Sequence, residues 1–210
     1  MTEVKPDGVQ GFRRARRILW VLVALAAIGG LILVIGTGGG DRKNGTAASA
    51  GLGIGGPFTL TAADGTVLTD KRLKGRPFAI FFGFTRCPDV CPTSLARMAQ
   101  LRERLGPDGD KFDIVFVSVD PQHDKPADIG SYVALFRTPI IGATGSDEQL
   151  AQIQKAYGVI VRKVPVEGGD YTVDHSAAVF LMDRNGRFVT TIDYHENDQT
   201  ALEKLRRIIV

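Results

Sequence analysis

The most distinctive feature of the hydrophobic pattern is an unbroken apolar run from residue 18 to residue 36, ILWVLVALAAIGGLILVIG. About 20 apolar residues in a helix span the roughly 30 Å hydrocarbon core of a bilayer. A buried helix of a soluble domain would normally keep a polar face, which this run lacks. The pattern predicts one N-terminal transmembrane helix over 18–36. A cleaved signal peptide is the alternative, with Ala48-Ser49-Ala50 as its cleavage site.

The pattern changes twice after this run. Residues 37–56, TGGGDRKNGTAASAGLGIGG, are rich in glycine, alanine and serine and predict a flexible linker. Residues 57–210 then alternate between apolar and polar stretches and are numerous enough to bury a core of their own. The sequence therefore predicts a single folded domain over 57–210.

Within this domain the pattern predicts strands that alternate with helices. Two continuous apolar runs, Arg76–Phe84 and Phe112–Val119, are typical of strands buried on both faces. Turn signals at Asp64-Gly65 and at 183–186 predict hairpins, the second of which joins strands 177–182 and 187–192. Apolar residues at helical spacing predict helices over Thr93–Leu105, Pro126–Phe136, Ser146–Tyr157 and Glu196–Ile209. We therefore predict an α/β fold with a mixed central sheet flanked by helices.

The distribution of charge indicates topology rather than nucleic-acid binding. The chain has 26 basic and 23 acidic residues, and the net charge of +3 lies entirely within residues 1–17, which contain five basic and two acidic side chains. The rest of the chain sums to zero, so no basic groove is expected. By the positive-inside rule, residues 1–17 form a cytoplasmic tail and the folded domain lies on the other side of the membrane.

The two cysteines of the chain lie together in GFTRCPDVCPTS, as Cys87 and Cys91. A buried strand ends just before them and a helix follows, so they occupy the carboxyl end of a strand, where open α/β sheets place their sites. The helix N-terminus should favour their thiolate forms. Residues four apart in a helical turn have Cβ atoms about 5–6 Å apart, which suits two sulfurs on one soft ion such as Cu(I) or Zn. A structural disulfide remains an alternative.

A third ligand would have to come from one of three histidines. His175 lies in DYTVDHSAAVFLMD just before a predicted strand, and so on a loop between ordered elements. His123 and His195 lie in strongly polar segments, where we expect solvated surface side chains. The residues alone leave open whether His175 is a ligand or a surface histidine.

The same segments resemble the Sco/SenC family of copper-binding, thioredoxin-like proteins. The resemblance covers nearly the whole folded domain, and its strongest motif is FFGFTRCPDVCP (Phe81–Pro92). It continues through the segments VSVDPQHDKP (117–126), GATGSDEQL (142–150), AYGV (156–159) and DYTVDHSA (170–177).

The resemblance implies a thioredoxin-like fold and copper, as Cu(I) or Cu(II), held by Cys87, Cys91 and His175. It implies a chaperone in assembly of the binuclear copper centre of cytochrome c oxidase subunit II, anchored in a bacterial inner membrane with a periplasmic domain. An upstream copper donor and a thioredoxin-like reductant are implied as partners. Only a short segment, 162–172, is available for a protruding hairpin found in some members. The family pattern suggests that Asp120 and Asp124 affect docking of a partner. We expect them instead to cap a helix and to lie solvent-exposed in a loop.

Two other functions fit the same residues. A membrane-tethered thiol–disulfide reductase would use Cys87 and Cys91 as redox thiols without a metal. A peroxiredoxin-like thiol peroxidase would use a low-pKa cysteine on the same strand-to-helix turn, with Thr85 and Arg86 as neighbours.

Overall fold

The computed structural model of the protein describes residues 53–166 and 168–209. The predicted tail (1–17), membrane helix (18–36) and most of the predicted linker lie outside these residues. Within the part of the chain that the structure describes, no helix is long and apolar enough to cross a bilayer.

A seven-stranded mixed sheet forms the centre of the domain, in the order β2-β1-β5-β4-β3-β8-β9, and a separate two-stranded sheet pairs β6 with β7. The strands are β1 Thr59–Ala62, β2 Val67–Thr69, β3 Phe78–Gly83, β4 Asp113–Ser118, β5 Ile141–Thr144, β6 Val161–Pro165, β7 Tyr171–His175, β8 Val179–Met182 and β9 Phe188–Ile192. The α-helices are α1 Asp70–Leu73, α2 Val90–Arg104, α3 Pro126–Ala134, α4 Asp147–Tyr157 and α5 Asp198–Ile209, with a 3₁₀ helix at Gly106–Lys111. The predicted α/β fold with a mixed sheet is confirmed.

The register of the central strands decides where the functional loops meet. Every residue of β3 is buried, as the continuous apolar run predicted. Strand β3 pairs in parallel with β4, up to the pair Gly83 and Ser118, and antiparallel with β8. Because β3 and β4 run in the same direction, the loops that follow them leave the sheet at the same edge. The cysteine loop after β3 therefore lies beside the loop that follows Ser118.

Helix α2 begins three residues earlier than predicted, at Val90 rather than Thr93. Proline is tolerated in the first turn of a helix, so Pro92 does not mark the start. The buried side chains of Leu95, Met98 and Leu101 follow the predicted helical spacing. Cys91 lies one turn before Leu95 on the same face, and the earlier start therefore carries it into the core.

The largest departure from prediction is the β6–β7 hairpin. Its register pairs Val161 with His175 and Pro165 with Tyr171. The expectation that His175 lies on a loop was wrong, because it is the last residue of strand β7. The other predicted hairpins and helix α4 are confirmed. The Ser146 side chain caps the N-terminus of this helix. Strand β5 and the short helix α1 were not predicted.

Candidate metal centre

The turn between β3 and α2 brings the two thiols together. The backbone N–H of Cys87 donates to the carbonyl of Phe84 at 3.3 Å, which closes the turn. The backbone N–H of Cys91 then points at the Cys87 Sγ, 3.4 Å away. Both cysteines are free thiols; Cys91 is fully buried and Cys87 is partly exposed. The turn therefore presents one accessible and one enclosed sulfur.

Strand β7 delivers the imidazole of His175 to this pair. Its Nε2 lies 3.4 Å from the Cys91 Sγ. The rings of Phe81 and Phe84 meet the imidazole edge-on, each with its centroid 5.9 Å away. These aromatic walls orient the ring and exclude water from its inner side. On the outer side, an open cleft of about 320 Å³ lined by Ile160, Arg162, Asp174, His175 and Ser176 leads to solvent.

The hydrogen bonding of His175 leaves a lone pair available at the thiols. Its Nδ1 lies 3.0 Å from the backbone carbonyl of Ser176. A carbonyl only accepts, so Nδ1 carries the proton and the unprotonated Nε2 faces Cys91. Metal-ligating histidines are usually fixed in this way by a carbonyl or carboxylate on the other ring nitrogen. His175 is therefore oriented as a ligand.

Burial sets the protonation states in the metal-free protein. Burial raises the pKa of the Cys91 thiol, and this effect outweighs the hydrogen bond from the Phe84 backbone. The expectation that the helix N-terminus favours the thiolate is therefore wrong for Cys91. Burial also lowers the pKa of His175, against a smaller opposing effect of the Ser176 carbonyl, and keeps the imidazole neutral. Metal binding at this site must displace the Cys91 proton.

The three donor atoms fit one soft cation. The ligand atoms of Cys87, Cys91 and His175 all lie within 4.8 Å of one another. Zinc forms bonds of about 2.0–2.3 Å with such ligands, so three donor atoms around one ion lie about 3.5–4 Å from one another. The donor atoms observed here need only a small movement to reach that separation. Thiolate sulfur and imidazole nitrogen favour Cu(I) or Zn over hard cations. A structural zinc site normally has four protein ligands, whereas an open zinc site can have two cysteines and one histidine. The donor set therefore fits a copper ion or an open zinc site.

The other two histidines lie outside this centre. His195 is exposed and packs edge-on against the ring of Tyr194, as expected of a surface residue. His123 is only partly exposed, and its Nδ1 lies 2.8 Å from the Asp120 carboxylate. The expectation of a simply solvated His123 was therefore wrong.

Asp120 and Asp124 are buried rather than solvated, which contradicts the expectation for both. Asp124 accepts hydrogen bonds from the backbone and hydroxyl of Thr85 (2.8 and 2.6 Å) and from the Ser118 hydroxyl (2.5 Å). It thus fixes the start of the cysteine turn to the end of β4. The Asp120 carboxylate accepts from the hydroxyl of Tyr171 at 2.5 Å. Burial alone would raise the pKa of Asp120, but hydrogen bonds from Tyr171 and His123 outweigh it and lower that pKa.

Gly83 is a further residue of the site that the sequence interpretation missed. A Cβ on Gly83 would lie 2.6 Å from the Cys91 Sγ and 3.0 Å from the Phe116 ring. The absence of a side chain at this position therefore makes room for the buried thiol. A glycine inside an otherwise apolar strand often marks such a close approach, and that signal was present in FFGF.

A partly buried tyrosine near the thiols has a buried hydroxyl without a hydrogen bond among the described residues. The hydroxyl of Tyr132 has no partner among the residues that the structure describes. Burial, with smaller contributions from Cys91 and Cys87, raises its pKa. The ring packs on Phe116, 5.4 Å between centroids, which also lines the Cys91 pocket.

Tyr132→Phe should stabilise the metal-free protein. A buried hydroxyl without a partner costs about 1–3 kcal/mol, so we expect the free energy of unfolding in urea to rise by about 1 kcal/mol. A fall for Tyr132→Phe would show that its hydroxyl has a partner in solution.

Fold and site together define a thioredoxin-like domain with a candidate metal centre of two thiols and one imidazole. A model of the SCO1/SenC family matches residues 46–210. The chain belongs to the SCO1/SenC family.

Solved structures and curated relatives agree with this assignment. The chain is 44% identical to Bradyrhizobium japonicum ScoI, a structure with copper bound, with a TM-score of 0.68 over 74% of this chain and 99% of that one. It is 39% identical to the mitochondrial SCO1 homolog 1 of Arabidopsis thaliana, over 65% of this chain and 41% of the relative. It is 35% identical to a SCO2-like protein of Rickettsia conorii, over 73% of this chain and 76% of the relative. The alignment thus spans less than half of the plant relative.

Proposed function

We propose that the protein is a membrane-anchored copper chaperone that binds one copper ion through Cys87, Cys91 and His175. We further propose that it assists assembly of the binuclear copper centre of cytochrome c oxidase subunit II. The observation that carries the proposal is the convergence of two sulfurs and an unprotonated imidazole nitrogen within 4.8 Å. Copper bound to a relative 44% identical to the chain supports it.

The arrangement suits a protein that must release its metal. Three ligands leave the ion open to attack by a fourth donor, and the partly exposed Cys87 and the cleft at His175 give a route to it. A thiolate of the acceptor can therefore bind the ion before Cys87 or His175 leaves. The buried Cys91 is expected to leave last, because it is the least accessible of the three. An imidazole beside thiolates also accommodates Cu(II).

We also propose the topology that the sequence predicts. Residues 1–17 form a cytoplasmic tail, 18–36 anchor the chain in the bacterial inner membrane, 37–56 form a tether and 57–210 form the periplasmic copper-binding domain. The positive charge of the tail and the length of the apolar run support this arrangement. An upstream copper donor would load the site, and a thioredoxin-like reductant would keep the thiols reduced in this oxidising compartment.

The experiment that tests the chaperone function is copper transfer. The protein loaded with Cu(I) is mixed with the copper-free soluble domain of oxidase subunit II, under strict exclusion of oxygen and with its cysteines already reduced. We expect copper to move to the acceptor, and His195→Ala, outside the centre, to transfer as wild type does. We expect His175→Ala to hold copper weakly, so this variant should not load under a competing chelator. Retention of copper by wild type with every acceptor thiol free would contradict the proposal.

A thiol–disulfide reductase is the second candidate, and the free state of both cysteines favours it. Cys87 is the more exposed of the two thiols, and the Cys91 N–H is directed at its Sγ. As a thiolate, Cys87 would attack a disulfide of the target, form a mixed disulfide and release one target thiolate. Cys91 would then attack the Cys87 sulfur and release the second, leaving the chain oxidised by two electrons. Turnover that survives strict copper chelation would support this function.

The structure offers less support for a thiol peroxidase. A peroxidatic cysteine needs a low pKa, whereas burial raises the pKa of Cys91. The guanidinium of Arg86 is engaged by Asp170 and Asp120 rather than by a sulfur. Rapid loss of thiol on addition of peroxide would revive this alternative.

A further inference from the structure

A cluster of polar side chains links three separate segments beside the metal centre. We call it the polar clamp, and its members are Arg86, Asp120, Asp170 and Tyr171. Arg86 precedes Cys87 in the cysteine turn, and Asp120 follows β4. Tyr171 is the first residue of strand β7, and Asp170 lies directly before it. The Arg86 guanidinium contacts Asp170 at 2.8 Å and Asp120 at 3.5 Å, and the Tyr171 hydroxyl donates to Asp120 at 2.5 Å.

Asp120 is the fixed point of this clamp. Its side chain is fully buried. Its backbone N–H donates to the Ser118 hydroxyl oxygen, and its carbonyl accepts from the Asp124 N–H. Ser118 belongs to β4, in the centre of the main sheet. A group that bonds to Asp120 is therefore tied to the most rigid part of the fold.

The β6–β7 hairpin needs such an attachment. Its two strands pair only with each other and not with the seven-stranded sheet of the described residues. Tyr171, Val173 and His175 alternate along β7 and therefore share one face. Val173 in the middle is buried, while Thr172 and Asp174 on the opposite face are exposed. The hairpin is thus joined to the domain by the apolar side chains of Val161, Tyr171 and Val173, by the clamp at one end and by His175 at the other.

We propose that Arg86, Asp120, Asp170 and Tyr171 are positioning residues that hold His175 at ligand distance from Cys87 and Cys91. This inference rests on the proposed copper-binding function. Tyr171 fixes the start of β7 to the sheet, and the ion pair between Arg86 and Asp170 joins the same strand directly to the cysteine turn. The strand between them then carries the imidazole to the thiols.

The first test compares Tyr171→Phe with wild type and with Tyr194→Phe. Tyr171→Phe keeps the ring and removes only the hydroxyl bonded to Asp120, whereas Tyr194 lies outside the clamp. In the metal-free protein, hydrogen exchange at the amides of 172–175 should be faster in Tyr171→Phe, while β3 and β4 stay protected as in wild type. We expect Cu(I) affinity to fall about tenfold, the lower end of the range for loss of an outer-shell partner. Tyr194→Phe should match wild type in both.

X-ray absorption of the copper-loaded proteins gives a signature specific to positioning. Wild type should show two sulfur and one nitrogen scatterers. Tyr171→Phe should keep both sulfurs and lose part of the nitrogen contribution, because only the hairpin is released. An unchanged nitrogen contribution would overturn the proposal.

The second test is a double-mutant cycle between Arg86 and Asp170. Arg86→Gln also removes a charge beside Cys87, whereas Asp170→Asn breaks the same ion pair at a distance from the thiols. If the ion pair acts by positioning the hairpin, the double variant should lose no more copper affinity than the single variant with the larger loss. Strictly additive losses would show that the two residues act independently and would overturn this part of the clamp.

The outcomes separate this proposal from the proposed function. If copper binding by wild type does not depend on His175, the proposed function fails. Hydrogen exchange at the hairpin amides of the metal-free protein still tests the clamp in that case. If wild type binds copper through His175 and Tyr171→Phe retains wild-type affinity and exchange, the clamp fails alone. If exchange in Tyr171→Phe rises equally in β3 and β4, the hydroxyl supports the whole fold and the positioning role is overturned.

Discussion

Cys91→Ser is expected to lower the affinity for Cu(I) by more than about 100-fold, beyond the roughly 10- to 100-fold cost of losing an outer-shell partner. The Cys91 Sγ lies between the Cys87 turn and the His175 Nε2, which is 3.4 Å away. A serine hydroxyl occupies the same place but is a hard, neutral donor that Cu(I) does not favour. Copper per chain, measured after competition with a Cu(I) chelator, checks this prediction.

Comparison with other variants makes this result interpretable. Cys87→Ser should lose copper to a similar extent, since it also leaves one thiolate. His175→Ala should bind more weakly than wild type but better than either serine variant, because both soft sulfurs remain. His195→Ala, an exposed histidine away from the centre, should bind as wild type does.

Loss of copper must be separated from loss of fold. Cys91 is fully buried and its replacement places a hydroxyl in the core, whereas Cys87 is partly exposed. Thermal unfolding of each metal-free variant supplies the check, and Cys87→Ser should unfold close to wild type. Wild-type copper affinity in a folded Cys91→Ser would remove Cys91 from the ligand set.

The parts of the fold predicted from sequence are those whose pattern reflects local burial. Strands β3 and β4 are continuous apolar runs because both faces are covered, and helix α2 shows apolar residues at helical spacing. These three elements suffice to place the cysteines at the carboxyl end of a central strand. The position of the cysteine pair within the fold could therefore be predicted.

The hairpin that carries His175 could not be recognised from hydrophobic alternation. Four of the five residues of β6 are exposed, including Arg162, Lys163 and Pro165, so the strand lacks an apolar face. The available signal was the Gly168-Gly169 pair, since both residues adopt positive φ in the turn between the strands. Two glycines between short polar runs are weak evidence without the pairing partners.

The burial of Asp120 was missed for a different reason. Acidic side chains are rarely buried unless they are paired, and the partners of Asp120 are distant in the sequence. Tyr171 and Arg86 are separated from it by 51 and 34 residues. Only the tertiary fold brings them to one point, so the local polar context of VSVDPQHDKP indicated a solvated loop.

A substitution at Gly83 is expected to cause the second large loss, although the sequence shows there only a small residue in a strand. In Gly83→Ala the new Cβ would lie 2.6 Å from the Cys91 Sγ, 3.0 Å from Phe116 and 3.3 Å from Phe81. All three neighbours are buried in the core, so none can move away freely. Overpacking of this kind typically costs about 1–3 kcal/mol, and we expect a loss of that size in the free energy of unfolding in urea.

The same substitution should weaken copper binding, because the atom displaced most strongly is the Sγ of the proposed copper ligand Cys91. Moving the Cys91 Sγ off its position separates it from Cys87 and His175 without changing any donor. Gly130→Ala in helix α3 is the matched control: its Cβ would meet nothing closer than Ala63, at 3.5 Å. Alanine is favoured over glycine in a helix by about 1 kcal/mol, so this variant should be at least as stable as wild type and bind copper normally. Equal stability and copper affinity in Gly83→Ala and wild type would mean that the space at Gly83 does not determine the position of the buried thiol.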